Sequence, residues 1–94
     1  MQVKIYLPTP LRQYADGRDI VEVEARTVGE ALQNLASKFT GLRKQIFTET
    51  GGVRSFVNVF VNDEDIRHLQ GQETVLKEGD TIYIIPSIAG GCYD

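Results

Sequence analysis

At 94 residues the chain has room for one hydrophobic core, since a second would need another domain's worth of sequence. Its apolar share of 41% and charged share of 24% are those of an ordinary globular protein, which excludes a disordered or fibrous chain. Thirteen acidic against ten basic side chains give a net charge of -3, and no Lys/Arg run stands ready to track a phosphate backbone, so nucleic acid is not an expected partner.

The first expected element is a strand from Gln2 to Leu7, where Val3, Ile5 and Leu7 alternate with Lys4 and Tyr6 at the period of a half-buried strand. Pro8 and Pro10 end it, and the polar stretch through Asp16-Gly17-Arg18-Asp19 reads as a hairpin connection. Ile20 to Ala25 alternates again. Thr27, with Glu30 three residues on, forms a capping box, and Val28, Ala31, Leu32, Leu35, Ala36 and Phe39 then fall on one helical stripe. Gly41 is expected to end that helix in the left-handed conformation, and Leu42 to Phe47 to add a further turn. Thr48 to Ser55 reads as a connection.

Phe56 to Val61 is expected to be a strand with Val57, Val59 and Val61 inward and Phe60 outward, followed by a turn at Asn62-Asp63. The stretch from Asp63 to Asp80 reads as mostly solvated, with Ile66 and Leu69 giving at most a short edge strand. Thr81 to Ile85 is the last strand, with Ile82 and Ile84 inward and Tyr83 and Ile85 outward, stopped by Pro86. The order β-β-α-β-β predicts an α+β fold of the β-grasp, or ubiquitin-like, type: a four- to five-stranded mixed sheet packed on one main helix. The helical crossover should set the first and last strands side by side and parallel.

No transmembrane segment is expected, because the longest apolar run, Ile82 to Ile85, is far shorter than the ~20 residues of a bilayer crossing. Met1 leads directly into a strand pattern rather than a secretory signal, and a single cysteine suits a reducing compartment, so a cytoplasmic location is expected. Side chains that could carry out catalysis are scarce. His68 stands without other histidines or cysteines nearby, and Asp63-Glu64-Asp65 lacks the spacing of a calcium loop, so no bound metal or cofactor is expected. Gly90-Gly91, beyond the last strand, is the unusual feature, since glycines there serve no element of the fold.

Leu76-Lys77-Glu78-Gly79-Asp80-Thr81-Ile82, then Pro86, then Ala89-Gly90-Gly91 resembles the end of the MoaD/ThiS family of ubiquitin-like sulfur-carrier proteins. The likeness runs over residues 1–91, and the segment Phe56 to Asp65 is similar to the CysO-type carriers in particular. It implies a sulfur-carrier domain over 1–91 and a protein that is a co-substrate rather than an enzyme. A partner resembling the ubiquitin-activating enzymes would use ATP to adenylate the Gly91 carboxylate, and sulfide or a persulfide would displace AMP to leave a thiocarboxylate. A sulfur-accepting synthase or sulfhydrylase would then take the sulfur. Ala89, Gly90 and Gly91 would form the tail that threads into these partners, where the side-chain-free Gly90-Gly91 suits a narrow channel.

The chain departs from most relatives in continuing as Cys92-Tyr93-Asp94. With Gly91 in a peptide bond there is no carboxylate to activate, so residues 92–94 are expected to be removed at the Gly91-Cys92 bond. The resemblance implies a zinc metallopeptidase of the JAMM type for that step; an inert tail or thiol chemistry at Cys92 are the competing readings. Strand parity places Tyr6, Phe60, Tyr83 and Ile85 on the face opposite the helix, a candidate docking surface rich in aromatic residues. The free protein is expected to be a monomer. Conjugation of Gly91 to other proteins, or service as the small subunit of molybdopterin synthase, are the alternative functions of the same tail.

Overall fold

The computed structural model describes residues 2–55 and 57–86. Strand β1 (Gln2–Tyr6) leads into a short helix α1 (Thr9–Arg12), followed by a 3-10 turn at Gln13–Ala15 and strand β2 (Ile20–Glu24). Helix α2 (Val28–Lys38) is followed by a 3-10 turn at Thr40–Leu42 and the single-turn helix α3 (Arg43–Ile46). Strands β3 (Val57–Val61), β4 (Glu64–Asp65) and β5 (Thr81–Pro86) complete a five-stranded sheet in the order β2-β1-β5-β3-β4. β1 and β5 run parallel at its centre while the other pairs are antiparallel, which is the β-grasp arrangement that the element order predicts.

The core forms between one sheet face and α2. Val3 and Ile5 of β1, Val59 of β3 and Ile82 and Ile84 of β5 are all but fully buried, as are Ala31, Leu32, Leu35 and Ala36 of α2. Each such Val, Leu or Ile side chain contributes about 1.5–3 kcal/mol on leaving water, so the alternation in the strands and the stripe on the helix are the same energetic fact at two periods. The helix start is chemically explicit. Glu30 N–H donates to Thr27 Oγ1 at 3.2 Å, and the Glu30 carboxylate accepts the Arg26 N–H at 2.7 Å, one residue earlier than in the usual box. The Thr27 backbone itself forms a bridge with Val75, which holds the helix entry against the loop before β5.

Three local expectations are corrected. Gly41 does not adopt a left-handed conformation: it lies in the 3-10 turn after α2, while Phe39 leaves the helix in extended backbone (φ -129). A Cβ at Gly41 would sit 3.1 Å from Tyr14 Cδ1, so the glycine is favoured there by close packing rather than by its φ. The stretch after Pro8 is not a plain hairpin connection, because Pro8 and Pro10 open α1 and bury Leu11 and Ala15 at the end of the core. Between Asp63 and Asp80, Ile66 lies in a 3-10 turn, the edge strand is Glu64–Asp65 instead, and Ile66, Thr74 and Leu76 are buried.

Candidate functional site

The sheet face turned away from α2 carries the outward residues of all five strands. The registers Ile20↔Tyr6, Tyr6↔Tyr83, Tyr83↔Phe60 and Phe60↔Asp65 form one transverse row from edge to edge. At its centre the Tyr6 and Tyr83 rings stack with centroids 4.9 Å apart and planes 21° from parallel. Parallel pairing of β1 and β5 produces this contact, since it sets two outward residues directly beside each other in the middle of the sheet. Tyr6 is 37% exposed and Ile85 49%, while Phe60 and Tyr83 are half-buried. The four residues expected to share this face do share it. Phe60, Tyr83 and Ile85 line a shallow hollow with Asn62 and Asp63.

A polar clamp borders the row and escaped the sequence reading, which left Asp65 in a solvated turn. Arg67 Nη2 donates to Asp65 Oδ2 at 2.7 Å and to Asn58 Oδ1 at 2.6 Å, and the Arg67 N–H donates to Asp65 Oδ1 at 2.8 Å. These side-chain and backbone hydrogen bonds from Arg67 hold the Asp65 carboxyl well below its ordinary value, at about 2. Asn58 is opposite Ile85 in the register, so a fixed charged pair lies directly beside the apolar strip. The signal in the sequence is Asp65 two residues before Arg67 at a strand end, the spacing of an Asx turn.

The last described residue, Pro86, ends β5 opposite Val57 at the start of β3. Ala89, Gly90, Gly91 and Cys92 lie outside the described residues. Four residues separate Pro86 from Gly91, a reach of at most ~18 Å over five Cα–Cα steps. The tail therefore begins beside Ile85, at the end of a central strand. Among the described residues, no group of three or more His, Cys, Asp or Glu side chains could hold a metal ion. No described helix is long and apolar enough to cross a membrane. His68 is an exposed residue of the 3-10 turn at Ile66–His68. The surface has the chemistry of a contact face: aromatic residues, one aliphatic side chain and a fixed charge at the rim.

Comparison with known proteins places this geometry. The ThiS family model matches residues 5–91. The sulfur carrier protein CysO of Mycobacterium tuberculosis is 33% identical over 93 residues, which is 97% of this chain and 100% of that protein. The small archaeal modifier protein 3 of Haloferax volcanii is 34% identical over 89 residues, covering 86% of this chain and 96% of that one. A chain of the crystallised Amycolatopsis orientalis BexX/CysO complex superposes with a TM-score of 0.86 at 38% identity, over 95% of this chain and 99% of that one. Matched along nearly its whole length in sequence and in backbone, the chain belongs to the ThiS family of ubiquitin-like sulfur carriers, protein carriers rather than enzymes.

Proposed function

We propose that the chain carries sulfur as a thiocarboxylate on Gly91, after hydrolysis of the Gly91-Cys92 bond frees the carboxylate. The observation that carries this reading is the extent of the family match, which ends at Gly91 and leaves Cys92 beyond it. Water cleaves the peptide bond, and the new carboxylate attacks the α-phosphate of ATP to give an acyl-adenylate and pyrophosphate. Hydrosulfide then adds to the acyl carbon and expels AMP. The carrier supplies an unhindered acyl group, and the partners supply catalysis. An adenylyltransferase of the ubiquitin-activating type, a JAMM-type zinc metallopeptidase and a sulfur-accepting synthase or sulfhydrylase are the proposed partners, met by a monomeric carrier in the cytoplasm.

The aromatic row supports a docking role. Tyr6, Phe60, Tyr83 and Ile85 lie on the face left uncovered by α2, with Ile85 one residue before Pro86 and the Tyr6–Tyr83–Phe60 row two to three residues further back along the sheet. A partner that draws in the tail is thereby brought against that face. A second reading, conjugation of Gly91 to lysines of other proteins, is favoured by the likeness to a protein named a modifier. Both readings share the acyl-adenylate. The test is ATP–pyrophosphate exchange by the cognate activating enzyme with two forms of the protein. A chain ending at Gly91 should support exchange and the chain retaining Cys92-Tyr93-Asp94 should not. Exchange with the longer chain alone, or with neither, would overturn the proposal.

A further inference from the structure

The basic side chains form no run in the sequence, but the fold gathers three of them. Arg43 and Lys44 of α3 and Arg54 line one cleft of about 450 Å³ together with Gln33, Thr48 and Glu49. Two backbone-directed bonds build its wall: Arg54 Nε donates to Lys44 O at 2.6 Å and Arg54 N–H to Ile46 O at 2.8 Å. Arg43 and Lys44 are exposed, and none of the three cations has an ion pair among the described residues. The cleft therefore sets three cations against the single carboxylate of Glu49, a local excess of positive charge in a chain whose net charge is -3.

Its location relative to the tail follows from the sheet register. Val57 N–H donates to Arg54 O at 3.0 Å, and Val57 is opposite Pro86, where the chain leaves β5. Three residues of chain and one strand spacing put the Arg54 backbone within roughly 15 Å of the start of the tail. The far ends of the same two strands are acidic: Asp63 and Glu64 follow β3, and Glu78 and Asp80 precede β5. At the corner where β1 ends and β2 begins, Arg12 and Arg18 are balanced by Asp16 and Asp19. Charge is thus separated along β3 and β5, positive at the end that releases the tail and negative at the other.

We infer that the Arg43–Lys44–Arg54 cleft docks an acidic patch on the activating partner, beside the opening that receives the tail. This rests on the carrier reading above and adds the chemistry of the partner's rim. An acidic surface repels a carrier of net negative charge in most orientations and attracts it tail-end first, so the cleft orients the encounter as well as holding it. Its contribution is electrostatic and should fade with salt, because the screening length falls from about 10 Å at 0.1 M to about 3 Å at 1 M.

The experiment measures pyrophosphate exchange by the cognate activating enzyme as a function of carrier concentration, using carriers that end at Gly91. Lys44→Glu is compared with Lys77→Glu, the same change in net charge placed before β5 at the acidic end, and Arg43→Glu/Lys44→Glu extends the series. Arg54 is left intact because its guanidinium supports the backbone of α3. At low salt KM for the carrier should rise about tenfold in the double variant with kcat unchanged, and the difference should vanish at 1 M salt. Lys77→Glu should stay within about twofold of the unaltered carrier. Equal effects of Lys44→Glu and Lys77→Glu, or no effect of either, would overturn the inference while leaving the carrier reading intact. Absence of exchange with the unaltered carrier would instead remove the carrier reading, and this inference with it.

Discussion

Asp65 shows how one carboxylate can be fixed at the edge of a sheet, its side chain largely covered while Arg67 stays exposed. Its oxygens take the Arg67 guanidinium and the Arg67 N–H together, and the carboxyl is lowered from 3.8 to about 2 by those bonds. A depressed carboxyl stabilises the folded state above its unfolded value, and that contribution is lost as pH falls through the folded value. Urea midpoints measured between pH 5 and pH 2 should therefore fall more steeply for the natural protein than for Asp65→Asn, with the two converging near pH 2. Parallel curves would mean that the clamp does not persist in solution. Gly41 shows where local sequence rules stop: it reads as a left-handed helix end but lies within a 3-10 turn, and only the fold shows Tyr14 packed close against it. Contacts between residues far apart in sequence leave no local signature.

At the level of elements, the legible parts were those with a strong period or a local chemical rule. Alternation in β1, β2, β3 and β5 and the apolar stripe of α2 each encode which face is buried. The capping residues were legible because their bonds are local, and Thr27→Ala should cost about 1 kcal/mol of stability in chemical denaturation, as typical caps do. A loss below a few tenths would show that the Thr27–Val75 bridge, rather than the hydroxyl, holds the helix entry. The very short elements were less legible: α3 falls within the further turn expected over Leu42 to Phe47, whereas α1 and β4 are too short to show a period, and burial of Leu11 in the core stabilises α1. The outward row was legible by parity, although the Tyr6–Tyr83 stack depends on the parallel pairing of β1 with β5. Tyr83→Glu should keep a cooperative thermal transition yet reduce adenylation at least about tenfold, as loss of an aromatic interface anchor does. Turnover at the natural rate would detach this face from docking.

For the whole molecule, family and architecture follow from a chain whose every level agrees: local caps, strand parity, the central parallel pair and the match over residues 5–91. The proposed chemistry concerns residues 89–92, which lie outside the described residues, and β5 ends at Pro86. Gly90-Gly91 stands out in the sequence by its position after the expected last strand, whereas the cationic cleft is visible only once the fold brings residues 43, 44 and 54 together. The measurement that bears most directly on the carrier role is the intact mass and C-terminal fragmentation of the trimmed protein after incubation with its activating enzyme, ATP and sulfide. A mass gain equal to one oxygen exchanged for sulfur, localised to Gly91, is the expected result. An unchanged Gly91 carboxylate in the presence of active enzyme, or sulfur found elsewhere on the chain, would contradict it.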